Sequence, residues 1–198
     1  MGRDLTKCHP HLQKLAKELV TVCEKQGCPI GIGECFRTVQ EQNRLYDQGR
    51  TKPGPVVTNA PGSTYRSMHQ WGVAFDVYRK DGKGAYNESG NYFQRVGAIG
   101  KSLGLEWGGD WKSIVDKLHF QLPDWGSTSE RLRKEYGNIY AFQATWPESD
   151  TSTGKTTSSG KEDPAYRSEG TDSGQYTERM DPGTANRTDP AGISAGSR

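Results

Sequence analysis

The spacing of apolar residues along the chain changes period several times, and each change predicts an element. Leu12, Leu15, Ala16, Leu19, Val20 and Cys23 recur every three or four residues, the interval of one helix face, and Gly27 offers a stop. An amphipathic helix is expected there. Over 29–36 the period falls to two, with Ile30, Ile32 and Glu34 alternating with Gly31, Gly33 and Cys35, which reads as a short strand. Thr38, with Glu41 three residues on, has the form of a capping box. A second helix should run from there to about residue 48, ended by Gly49, Pro53, Gly54 and Pro55. Residues 73–78 and 118–122 read as strands, and 92–103 as a helix with Phe93, Val96, Ile99 and Leu103 on one side. Together these elements predict an α+β domain, a small antiparallel sheet with helices packed on one face.

The pattern stops at residue 147. Residues 148–198 contain no Val, Leu, Phe or Trp, and Ile193 is their one branched aliphatic residue. Such a segment buries too little apolar surface to offset the entropy of ordering. The expectation is a domain at 1–147 followed by a low-complexity, disordered tail or linker at 148–198. Charge divides at the same place. The chain has 26 Lys+Arg and 24 Asp+Glu, of which nine acidic and six basic residues fall after residue 147, so the domain carries a modest positive excess. That excess suits an anionic partner, a cell-wall polymer or a nucleic acid alike, and is too small and too little clustered to identify either. Because no basic run interleaves with aromatic residues, no nucleic-acid partner is expected.

Nothing approaches the roughly 18 consecutive apolar residues of a membrane helix, so membrane insertion is not expected. Gln13, Lys14, Lys17 and Glu18 interrupt the first apolar stretch, which therefore does not read as a secretion signal. The chain is expected to be made in the cytoplasm and to be a monomer. Cys8, Cys23, Cys28 and Cys35 lack the spacing of a zinc-binding motif and read as buried, reduced, structural thiols.

Of the four histidines, two stand in informative settings: Ser67-Met68-His69-Gln70-Trp71-Gly72-Val73-Ala74-Phe75-Asp76 and Asp116-Lys117-Leu118-His119-Phe120. Two imidazoles and a carboxylate fill three positions of a zinc site, and a catalytic zinc keeps its fourth for water. A further acid nearby can take a proton from that water. His69 and Asp76 are seven residues apart and would point to opposite faces of an unbroken strand. Gly72 supplies a break that lets them converge, and His119 joins them if its strand pairs with that of Asp76. His9 and His11, flanking Pro10, read as solvated or capping residues.

These two stretches resemble the zinc peptidoglycan peptidases of the D-Ala-D-Ala carboxypeptidase type, VanY-like, and most closely their L-alanyl-D-glutamate endopeptidase branch. Further resemblance lies in Phe36-Arg37-Thr38 with Glu41-Gln42 and Leu45-Tyr46, in Gln48-Gly49-Arg50-Thr51 with Pro53-Gly54, and in 104–111. The resemblance implies the hedgehog/DD-peptidase fold, with His69, Asp76 and His119 as zinc ligands and Asp116 as the general base that later protonates the leaving amine. It gives Arg37 the task of holding an oxyanion or a substrate carboxylate, with a structural ion pair as the alternative. Ser67 would either bind substrate or shape its loop. Leu118 departs from the pattern, where many relatives have Pro. Trp107 and Trp111 read as packing residues. The function implied is hydrolysis of the peptidoglycan stem peptide at the cell wall, between L-Ala and D-Glu. The alternatives are a D-Ala-D-Ala carboxypeptidase or dipeptidase and, further off, a zinc-containing wall-binding module without catalysis.

Overall fold

The computed structural model describes residues 2–147, and the tail expected at 148–198 lies outside the described residues. Helix α1 spans Pro10–Lys25 and buries Leu12, Leu15, Ala16, Leu19 and Cys23. Proline at the first helical position costs no hydrogen bond, and the His9 ring caps the start by accepting from the His11 N–H. The end is a Schellman turn: Gly27 takes φ +67°, the Cys28 N–H donates to the Cys23 carbonyl at 2.9 Å, and the Gly27 N–H donates to that of Glu24. Helix α2 is Val39–Asp47, and both halves of the Thr38/Glu41 capping box are formed.

The remaining helices are α3 (Tyr92–Ser102), α4 (Glu130–Tyr136) and α5 (Ile139–Gln143). The strands are β1 (Ile30–Ile32), β2 (Ala74–Arg79), β3 (Glu106–Trp107) and β4 (His119–Gln121), arranged antiparallel in the order β1-β2-β4-β3. Register sets the two faces. Phe75 pairs with Phe120 and Phe120 with Trp107, giving an apolar face against which α3 packs. The approach is close enough to demand glycine, since a Cβ at Gly97 would lie 2.4 Å from the Trp107 ring and one at Gly100 2.3 Å from that of Phe120. Helix α1 packs against α3 and β1. Alternation sends Asp76, His119, Gln121 and Glu106 to the other face of the same strands.

The α+β architecture expected from the sequence is the one observed. Its first strand is shorter than the alternation over 29–36 suggests, for a local reason. Beyond Ile32 the Gly33 N–H donates to the Asp76 carbonyl and the Asp76 N–H donates to that of Glu34, so two residues oppose one. That is a β-bulge, which bends the strand and turns residues 34–37 toward Asp76. Helices α4 and α5 were not expected. Only Leu132 of α4 and Ile139 and Phe142 of α5 are buried, too few positions to show a period. Phe142 meets the rings of His9, Trp71, Trp125, Tyr136 and Trp146 in one aromatic cluster.

Candidate metal centre

His69 lies in a short 3-10 turn, Met68–Trp71, that ends at Gly72 in the left-handed conformation, φ +65°. This is the break expected between His69 and Asp76. His69 is 5% exposed, and its Nδ1 lies 2.8 Å from the Cys35 carbonyl oxygen. A carbonyl can only accept, so Nδ1 carries the hydrogen and Nε2 presents its lone pair. That nitrogen faces Asp76 Oδ1 at 3.4 Å.

Asp76 and His119 are direct cross-strand partners of β2 and β4. His119 places Nδ1 at 3.2 Å from the same Asp76 oxygen and Nε2 at 3.1 Å from Gln121 Oε1. One donor atom from each of His69, Asp76 and His119 falls within 4.8 Å of the others, a set that could hold a metal ion. Two nitrogens and one carboxylate oxygen, with lone pairs turned inward by hydrogen bonds on the outer side, suit a borderline divalent cation.

The site's electrostatics suit a cation as well. Burial pushes the Asp76 carboxyl up, but when the two imidazoles are protonated, with no metal between them, the His69 charge and the hydrogen bonds from both rings outweigh it and hold the group well below the usual carboxylate range. Burial pulls the His119 imidazole down, while its hydrogen bond to Asp76 and the charges of Asp76 and Asp116 raise it above its ordinary value overall.

Asp116 stands beside this trio without being one of its three donors. Its carbonyl accepts from the His119 N–H at 3.2 Å, its Oδ1 accepts from the Leu118 N–H at 3.2 Å, and its own N–H donates to the Gly108 carbonyl. Arg37 is 9% exposed. Its Nε donates to Glu34 Oε1 at 2.6 Å, Nη2 donates to the other Glu34 oxygen, and Nη1 donates to Gln42 Oε1 at 2.7 Å. The ion pair weighed from the sequence is therefore formed. The Arg37 backbone N–H also holds the His69 carbonyl at 3.1 Å. Ser67 begins the His69 turn, and its side chain makes no capping hydrogen bond.

Two residues of the site, Gln121 and Glu106, escaped the sequence reading, and a third, Trp111, was expected only to pack. Gln121 shares a strand face with His119, a relation that period two could have shown. Glu106 pairs with Gln121 across β3 and β4, and Trp111 lies with its ring centroid 5.0 Å from that of His119. A two-residue strand leaves no pattern by which to place Glu106 in advance, and Trp111 follows it beyond a 3-10 turn at 108–110.

The sequence profile described as D-alanyl-D-alanine carboxypeptidase matches residues 61–122, a stretch containing His69, Asp76, Asp116 and His119. The chain is 38% identical over 124 residues to the peptidoglycan L-alanyl-D-glutamate endopeptidase of Bacillus subtilis (strain 168), covering 58% of this chain and 72% of that enzyme. It is 30% identical over 155 residues to an L-alanyl-D-glutamate peptidase of Listeria phage A118, covering 76% of this chain and about half, 49%, of the phage protein. Among solved structures, an L-Ala D-Glu endopeptidase of Serratia marcescens aligns with a TM-score of 0.46 at 23% identity, covering 60% of this chain and 82% of that one. By its identity to the Bacillus enzyme over more than two thirds of that enzyme's length, the chain belongs to the family of zinc peptidoglycan peptidases that includes L-alanyl-D-glutamate endopeptidases and D-alanyl-D-alanine carboxypeptidases.

Proposed function

We propose that this chain is a zinc-dependent peptidoglycan hydrolase that cuts the stem peptide between L-Ala and D-Glu. The observation that carries the reading is the 38% identity to an L-alanyl-D-glutamate endopeptidase over 72% of its length. The convergence of His69, Asp76 and His119 supplies the chemistry such a reaction requires.

In this reading His69 Nε2, an Asp76 oxygen and His119 Nδ1 would hold a zinc ion. When bound, the ion supplies a Lewis acid that polarises the scissile carbonyl and makes water acidic. Asp116 accepts the proton from the attacking water and returns it to the amine as the C–N bond breaks, leaving a carboxylate on L-Ala and a free amine on D-Glu. Arg37 keeps two N–H groups beyond those given to Glu34 and Gln42, and directs them at the developing oxyanion or a substrate carboxylate. Ser67, at the start of the His69 turn, hydrogen-bonds the bound peptide. The domain's positive excess draws it to the anionic polymers of the wall, where it acts as a monomer.

Asp116→Asn tests the division of labour between ligands and base. The variant should bind one zinc per chain like the parent and lose at least 100-fold in hydrolysis, in line with the roughly 10²–10⁴-fold ordinarily contributed by a general base. Activity within a factor of two of the parent would remove Asp116 from that role.

A further inference from the structure

His69 and His119 are held on their outer sides by different kinds of group. His69 leans on a backbone carbonyl, which no substitution removes, whereas His119 leans on the side chain of Gln121. Gln121 is fully buried and has two further contacts: its Nε2 donates to Glu106 Oε2 at 3.1 Å and to the Gly126 carbonyl at 3.5 Å. Both are acceptors, a carbonyl and a carboxylate, so the amide nitrogen must face them and Oε1 must face His119. Glu106 is fixed in turn by Trp111, whose Nε1–H donates to Oε1 at 2.7 Å.

We infer that Trp111, Glu106 and Gln121 form a relay that sets the tautomer of His119, with Gln121 as the positioning residue that keeps Nδ1 free for the metal. The inference rests on the zinc-peptidase reading for its purpose, though not for its geometry. Asp76 Oδ1, 3.2 Å from Nδ1, is an acceptor too and draws the ring hydrogen to that side, so the Gln121 acceptor at Nε2 is the group that opposes it; with the hydrogen on Nε2, the Nδ1 lone pair is directed at the space shared with Asp76 and His69 Nε2. With an apolar side chain at 121, neutral His119 is free to carry its hydrogen on Nδ1, and each ion bound must first reverse that choice. The sheet makes the relay possible. Glu106 and Gln121 are register partners, and Gln121 and His119 lie two residues apart on one strand, so all three side chains share the open face.

The test compares the full chain with Gln121→Leu, Gln121→Glu and the exchange Glu106→Gln/Gln121→Glu. Zinc affinity is measured by competition with a chromophoric chelator, and the His119 ring tautomer by ¹⁵N NMR of the metal-free protein at a pH where the ring is neutral. Gln121→Leu should weaken zinc binding roughly 10–100-fold and shift the neutral ring from Nε2–H toward Nδ1–H while keeping its circular dichroism spectrum. Gln121→Glu alone sets two carboxylates together and should recover little. The exchange restores a donor and an acceptor across the same pair and should recover most of the affinity and the Nε2–H form. Unchanged zinc affinity and tautomer in Gln121→Leu would overturn the relay. So would an exchange variant no better than Gln121→Leu. If the parent chain itself bound no zinc, the function reading would fall, and the tautomer measurement would still decide the relay.

Discussion

A methyl group added at Gly108 would lie 2.6 Å from the Asp116 carbonyl oxygen and 3.2 Å from both His119 Cβ and the Trp111 ring. The nearest of these is backbone and cannot swing aside, so the loop bearing Asp116 has to move. Gly108→Ala should therefore cost about 1–3 kcal/mol of stability, the usual range for overpacking. Hydrolysis should fall by as much as 100-fold, because displacements near 1 Å cost that much at a reacting centre. Denaturant midpoint and turnover would check both, and a variant matching the parent in each would contradict this packing. At the same scale, His69, Asp76 and His119 were legible because few residue types bind metals and Gly72 explained how an odd spacing could converge. Glu106 and Trp111 were not, because their place depends on a cross-strand pairing that leaves no mark in the neighbouring sequence. Gln121 shares the period-two face of His119, but glutamine carries no metal-ligating signal of its own.

Helix α2 shows what a short element contributes to a site it does not line. Its Gln42 is buried, accepts from Arg37, and donates to Thr58 Oγ1 and the Ala60 carbonyl, tying the segment after β1 to the loop that leads to His69. The Thr38 cap fixes where that helix starts. Thr38→Ala should destabilise the protein by about 1 kcal/mol, the typical cost of losing an N-cap, and a chemical denaturation curve unchanged from the parent would contradict the capping role. The capping box was legible because it is a local exchange of two hydrogen bonds between residues three apart. The bulge opposite Asp76 was not, since alternation from Ile30 to Cys35 reads the same whether or not the partner strand keeps step. Sequence therefore predicted a longer β1. The structure uses the extra residue to bring the Cys35 carbonyl to His69 and the Glu34 carboxylate to Arg37.

Across the domain, one face of a four-stranded sheet packs into the core and the other bears the candidate metal centre. Helices α1 and α3 cover the side bearing Phe75, Phe120 and Trp107, which leaves the alternate residues of β2, β4 and β3 to form Asp76, His119, Gln121 and Glu106. That division follows from period-two alternation once the register is set, which is why the fold class could be read from apolar spacing while the outer ring of the site could not. It also places two of the three proposed ligands, Asp76 and His119, on paired strands backed by a packed core, a rigid mounting for groups that must meet at one point, while His69 joins them from the turn before β2. The central claim is that this mounting serves cleavage after L-Ala. It is tested most directly by incubating the full chain with purified peptidoglycan, with and without a zinc chelator, and identifying every newly exposed amine by labelling and mass spectrometry. New D-Glu amino termini that disappear with chelator and return with added zinc are the predicted result. Release of D-Ala without any D-Glu terminus would contradict it in favour of a carboxypeptidase, and D-Glu termini unaffected by chelator would contradict the metal.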